Sequence, residues 1–140
     1  MSTNNPPSMH TFDEPKLEAI VELMVLAASA DGEFSEEERR HFLSSVESLT
    51  DRRVAGDGLD GLVSRIEADL RAGGRHARLL VVRERLASPA LRKAAFHMAA
   101  QVTAADGIIR TSEREWLLEL ADALEIDRDL AADMVAQLAP

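Results

Sequence analysis

Three observations predict an all-α fold, a compact bundle of about seven helices. Aromatic residues make up 4% of the 140-residue chain, whereas sheets draw on aromatic and β-branched side chains. Apolar residues recur at spacings of three and four along nearly the whole chain, the period of a helix face. Helix start and stop signals punctuate those stretches at regular intervals.

The elements follow in order. Residues 1–11 are rich in Asn, Pro and Ser and read as a disordered tail. Thr11 or Asp13 can cap a first helix with Pro15 in its first turn, and Leu17, Ile20, Val21, Met24 and Ala28 form one apolar face. This helix is expected to stop at Asp31-Gly32. Ser35-x-x-Glu38 is a capping-box pattern opening a second helix, with Phe42, Val46 and Leu49 inward. Arg52 to Gly58 reads as a polar turn. A third helix carries Leu59, Leu62, Val63, Ile66 and Leu70 and breaks at Gly73-Gly74. Leu79, Leu80, Val82 and Leu86 mark a fourth. Ser88-Pro89 is an N-cap followed by Pro at the first helical position, opening a fifth with Leu91, Ala95, Met98 and Val102 that ends at Asp106-Gly107. Leu117, Leu120, Ala121 and Leu124 mark a sixth. Asp127 can cap a seventh carrying Leu130, Met134 and Leu138.

Composition narrows the function. An apolar share of 46% is enough for a core, and 7 Gly with 5 Pro exclude collagen-like and low-complexity classes. The opening Met1–Met9 has neither the charged nor the apolar region of a signal peptide, and no apolar run reaches a membrane span. The absence of Cys removes disulfides, thiolate catalysis and Cys-ligated zinc, and fits a reducing cytoplasm. A net charge of −9 argues against nucleic acid as a partner.

A shift of 75 residues overlays two segments without a gap. Ala30-Asp31-Gly32-Glu33-Phe34 falls on Ala105-Asp106-Gly107-Ile108-Ile109, Glu38-Arg39 on Glu113-Arg114, and Phe42-Leu43 on Leu117-Leu118. The shared pattern, A-D-G-x-(apolar)-x-x-x-E between two helices, marks an internal duplication with an approximate two-fold axis. The domain is thus expected over residues 12–140, as repeat one (13–50), a connector (51–88) and repeat two (89–138). Charge follows this division. Residues 1–50 hold 10 acids and 3 bases, residues 51–93 hold 6 and 10, and residues 94–140 hold 9 and 3. The connector's arginines can pair with repeat acids or form a separate surface for an acidic partner.

The duplicated motif, read as Ala30-Asp31-Gly32-Glu33-Phe34-Ser35-Glu36-Glu37-Glu38 and Ala105-Asp106-Gly107-Ile108-Ile109-Arg110-Thr111-Ser112-Glu113, resembles the TerB family of tellurite-resistance proteins over residues 13–138. The resemblance implies an all-helical, cytoplasmic, non-enzymatic domain linked to tellurite resistance and stress responses. It also implies a divalent-cation role for the acidic motif residues, and related domains occur joined to other modules. The second motif departs from the pattern, since Arg110 stands where Ser35 caps the first repeat. Thr111 or Ser112 is expected to take over that cap.

Asp31-Gly32 with Glu38 also matches the back half of an EF-hand loop, but the front positions fall on Ala27, Ser29, Val102 and Ala104. Three of those four have no side-chain oxygen, and Ca²⁺ takes about six to eight oxygens, so independent EF-hands are excluded. Two readings stay open. Asp31, Glu38, Asp106 and Glu113 can pool four carboxylates around one hard cation of unidentified kind across the two-fold. Alternatively, Glu38 and Glu113 are capping-box partners and the two Asp residues belong to turns.

Histidines 10, 41, 76 and 97 show no ligand spacing, Met24, Met98 and Met134 read as packing, and Trp116 as partly buried. No phosphate loop, nucleophile elbow or catalytic triad order is present, so no enzyme is expected. The sequence therefore points to a binding domain: a divalent cation at the duplicated loops, a protein partner, or both. The competing reading is a pure protein-interaction module using the connector, with Arg75, Arg78 and Arg85 as its contact residues. The oligomeric state is open.

Overall fold

The computed structural model describes residues 14–29, 34–105 and 108–138. The expected tail, the Thr11/Asp13 cap and both acid–glycine corners, Asp31-Gly32 and Asp106-Gly107, lie outside the described residues. Among the described residues seven helices follow one another: α1 (Glu14–Ala28), α2 (Glu36–Leu49), α3 (Gly56–Gly73), α4 (Arg75–Arg85), α5 (Pro89–Thr103), α6 (Thr111–Ala123) and α7 (Arg128–Leu138). No strand occurs among the described residues.

The centre of the bundle is α1. Its run from Ala19 to Ala27 is buried all round, because α2, α3, α4, α5 and α6 all pack against it. The expectation of a single apolar face was too narrow. A helix that is apolar on every side belongs inside the bundle, and Leu23, Val25 and Leu26 supply the second side. The largest packing partner is α5, with Phe96 fully buried between the layers. Contacts also cross reciprocally, α1 on α6 and α2 on α5, so each hairpin touches both helices of the other.

Helix ends follow local chemistry. Asp127 caps α7 by accepting the Asp129 and Leu130 backbone N–H groups at 2.9 and 3.1 Å. Ser88 is the N-cap of α5 with Pro89 at the first position. After α2 the chain turns through Asp51 and Arg52, both at positive φ (52° and 61°). The Glu47 carboxylate holds this turn, accepting from Arg52 Nη1 at 3.0 Å and from the Gly56 N–H at 2.9 Å. That second bond satisfies a donor at the start of α3, so the helix begins at Gly56 and the expected turn is three residues shorter. Gly74, at φ 85°, alone separates α3 from α4, a left-handed joint open to glycine at no steric cost. Leu80 and Leu130, expected inside, are 50% and 38% exposed. They sit on the outer sides of α4 and α7, where burial is set by the neighbouring layers and not by spacing alone.

Several arginines in the connector and just beyond it are engaged inside the molecule. Arg65 pairs with Glu18. Arg92 donates to the carbonyls of Leu86 (2.6 Å) and Arg83 (3.1 Å) and pairs with Glu125, tying the ends of α4 and α6 to α5. Arg78 forms a two-pronged pair with Glu22 of α1, Nε–Oε2 2.6 Å and Nη2–Oε1 2.9 Å. Glu22 is 2% exposed, and its bonds hold the Arg78 guanidinium above its ordinary pKa. Every buried side-chain N and O among the described residues has a hydrogen-bond partner.

Candidate functional site

The two repeats meet at a cleft of about 420 Å³. One wall comes from the end of α1 and the start of α2, with Ala28, Phe34, Glu38, His41 and Phe42. The other comes from the end of α5 and the start of α6, with Val102, Thr103, Ala105, Arg110 and Glu113. Phe34 and Phe42 stack in a tilted pair, ring centroids 5.0 Å apart, on the first wall. The cleft is therefore apolar at one side and charged at the helix starts.

Each repeat places its glutamate in the same way. Ser35 is the N-cap of α2. Its hydroxyl accepts from the Glu38 N–H at 3.1 Å, while Glu38 Oε1 accepts from the Ser35 N–H at 2.8 Å. This is a complete capping box, and it arises because serine and glutamate stand three residues apart at a helix start. In the second repeat Glu113 Oε1 accepts from the Arg110 N–H, again at 2.8 Å. Arg110 is itself the N-cap of α6, so the expected transfer of the cap to Thr111 or Ser112 is corrected. A guanidinium has no acceptor, so only the glutamate half of the box forms here. Arg110 instead swings its side chain to Glu113, with Nη1–Oε1 at 3.5 Å.

Electrostatics link the walls. The Glu38 carboxyl lies below its ordinary pKa, first because the Ser35 N–H donates to it, then through the Ser35 hydroxyl, with Arg110 adding a further lowering across the cleft. A depressed carboxyl stabilises the fold fully above the ordinary glutamate range, and that contribution is lost as pH falls through the lowered value.

Of the four carboxylates expected to share a cation, the structure brings Glu38 and Glu113 to one cleft. Asp31 and Asp106 lie outside the described residues. Among the described residues no group of three or more His, Asp or Glu is placed to hold a metal ion. The spacing argument missed Arg110 and His41 as lining residues. Arg110 was visible as a departure of the second motif from the first, at the position where Ser35 caps α2, whereas His41 follows Glu38 by three residues, one helical turn, a signal too common to single out.

A comparison with protein-family models matches residues 17–135 to the tellurite resistance protein TerB model. The chain belongs to the TerB family. No curated protein and no solved structure matches significantly. The bounds of the TerB match enclose both hairpins and the connector between them. No helix among the described residues of this TerB domain is long and apolar enough to cross a membrane.

Proposed function

We propose that this TerB domain acts by binding and not by catalysis, in a tellurite-resistance or related stress response in the cytoplasm. It would take a divalent cation at the cleft between its repeats and pass that state to a protein partner. The observation that carries this reading is the cleft itself, where the equivalent glutamates of the two repeats, Glu38 and Glu113, line one space. Asp31 and Asp106 precede those glutamates by seven residues in the matching motifs and would complete the donor set. Carboxylate oxygens suit hard cations such as Ca²⁺, Mg²⁺ and Mn²⁺. A bound cation would neutralise the carboxylates and draw the repeats together, stabilising the folded state by mass action.

Calorimetric titration with Ca²⁺, Mg²⁺, Mn²⁺ and Zn²⁺ tests the cation step. Saturable binding by the wild type that is lost in Asp31→Ala/Asp106→Ala is the expected result. Heat in neither protein would remove the cation from the function.

A second reading is favoured by one observation: both glutamates are already engaged with helix-start N–H groups. On this reading the domain is a protein-interaction module whose motif acids serve folding alone. The connector surface it can use is smaller than the sequence implies. Arg75 donates to the Ser29 carbonyl at 2.7 Å and lies over the Trp116 ring, and Arg78 is held by Glu22. Arg85, exposed on the last turn of α4, remains as a contact residue for an acidic partner.

A further inference from the structure

We infer that the joint between α3 and α4 is the docking site for a protein partner, taking one apolar side chain flanked by carboxylates. This deepens the partner-binding part of the proposed function and is independent of its cation part. A separate cavity of about 260 Å³ lies at this joint, beside the last turn of α1. Its apolar surface comes from Val25, Phe34 and Leu70. Val25 is buried, while Phe34 and Leu70 pack on the core and stay partly exposed. The match of Phe34 in repeat two, Ile109, is buried instead. Gly74, which joins the two helices, puts no side chain over the cavity, and a Cβ built there would meet nothing within 4 Å.

The rim selects the partner's charge. Arg75 is fixed there, donating to the Ser29 carbonyl at 2.7 Å with its guanidinium over the Trp116 ring. Arg71 is exposed and has no hydrogen-bond or ion-pair partner among the described residues. Glu67, the acid on this rim among the described residues, is already paired with Arg39. Two guanidiniums thus border an apolar hole in a chain whose net charge is −9. The long-range field of such a chain favours basic partners, whereas this spot is complementary to acidic ones. Size selects a side chain over a whole ligand, since small-molecule pockets usually run to about 300–1,000 Å³ and a buried apolar anchor is the common centre of a protein interface. Phe34 also stacks on Phe42 in the wall of the inter-repeat cleft, so a side chain docked here touches the same ring that shapes the cleft.

The test titrates ¹⁵N-labelled protein with three capped peptides and follows the amide signals by NMR. One peptide carries Leu-Phe between pairs of Asp, one carries Leu-Phe between pairs of Lys, and one carries Ser-Ser between pairs of Asp. The acidic Leu-Phe peptide is expected to shift the Phe34, Leu70 and Gly74 signals saturably, against the sign of the overall charge, and the other two to leave them in place. Arg71→Glu is expected to weaken that binding about tenfold, because it exchanges one exposed attraction for a repulsion of like size. Arg71→Lys should bind as wild type does, and both variants should keep the wild-type circular dichroism because Arg71 is exposed. Saturable shifts centred elsewhere and abolished by Arg85→Glu overturn the inference while the partner reading stands. Shifts at the same three residues that grow with protein concentration alone give the cavity to a second copy of the chain and overturn it too. Equal binding of the acidic and basic peptides, or no shift with any peptide, also overturns it.

Discussion

Arg78→Ala is expected to lower the stability of the domain by about 3–5 kcal/mol, the cost of stranding one partner of a buried ion pair. Its guanidinium is the two-pronged partner of Glu22, a carboxylate 2% exposed in the helix that α2 to α6 all pack against. Removing the arginine leaves that charge in the core without its strongest donors. A domain of ordinary stability holds about 5–15 kcal/mol in total, so the variant would sit near its unfolding threshold. Urea denaturation followed by far-UV circular dichroism measures the loss. Replacing both partners by apolar residues, as in Glu22→Leu/Arg78→Met, is expected to recover most of it, because the penalty belongs to the unpaired charge and not to the missing bridge. A single variant as stable as wild type would show that Glu22 is solvated or paired otherwise.

The second large effect is expected at Trp116. Its ring is 7% exposed, its Nε1–H donates to the Leu26 carbonyl at 2.5 Å, and the Arg75 guanidinium stacks 5.0 Å from the ring centroid. One side chain thereby joins α6 of the second repeat to the end of α1 in the first and to the start of α4. Leu26 lies in the last turn of α1, where carbonyls lack helical partners. Trp116→Ala is expected to cost about 3–5 kcal/mol through lost burial and the cavity left behind. Trp116→Phe keeps most of the apolar contact but leaves the carbonyl without its donor, at about 1–3 kcal/mol. The same denaturation measurement ranks the two; equal losses would mean that the indole N–H contributes nothing.

These two residues also mark where the sequence was readable and where it was not. Helix order, the capping box at Ser35 and Glu38, the Asp127 cap and the break before α4 were all legible, because each depends on neighbours within a few positions. The start of α3 was not. Gly56 and Gly58 have poor helix propensity, and the group that rescues the helix start is Glu47, nine residues earlier. Trp116 was expected to be partly buried and is 7% exposed; the partner carbonyl that draws it in is 90 residues away. Nothing in the local sequence marks Glu22 for burial, because its partner Arg78 lies 56 residues away on α4. Connector arginines were weighed both as partners of repeat acids and as a separate surface; Arg65 and Arg78 spend their charge on Glu18 and Glu22 of α1. Charge counts along a chain register sign but not pairing.

The candidate site was legible in part. A duplication with acid–glycine corners implies that equivalent residues face one another across a two-fold, and Glu38 and Glu113 do share one cleft. The capping role of both glutamates was equally legible from spacing. The interplay of Arg110 with those carboxylates was not, because a guanidinium at an N-cap position can point to its own helix or away from it, and only the packed structure decides.

Paramagnetic line broadening tests the cleft most directly. Mn²⁺ added below one equivalent to ¹⁵N-labelled protein is expected to broaden the Glu38 and Glu113 amide signals together. Those of the exposed acids Glu84 and Asp129, which lie elsewhere on the bundle, should remain sharp at the same ratio. Broadening confined to one repeat, or spread evenly over the surface acids, would contradict a shared cation site between the two hairpins.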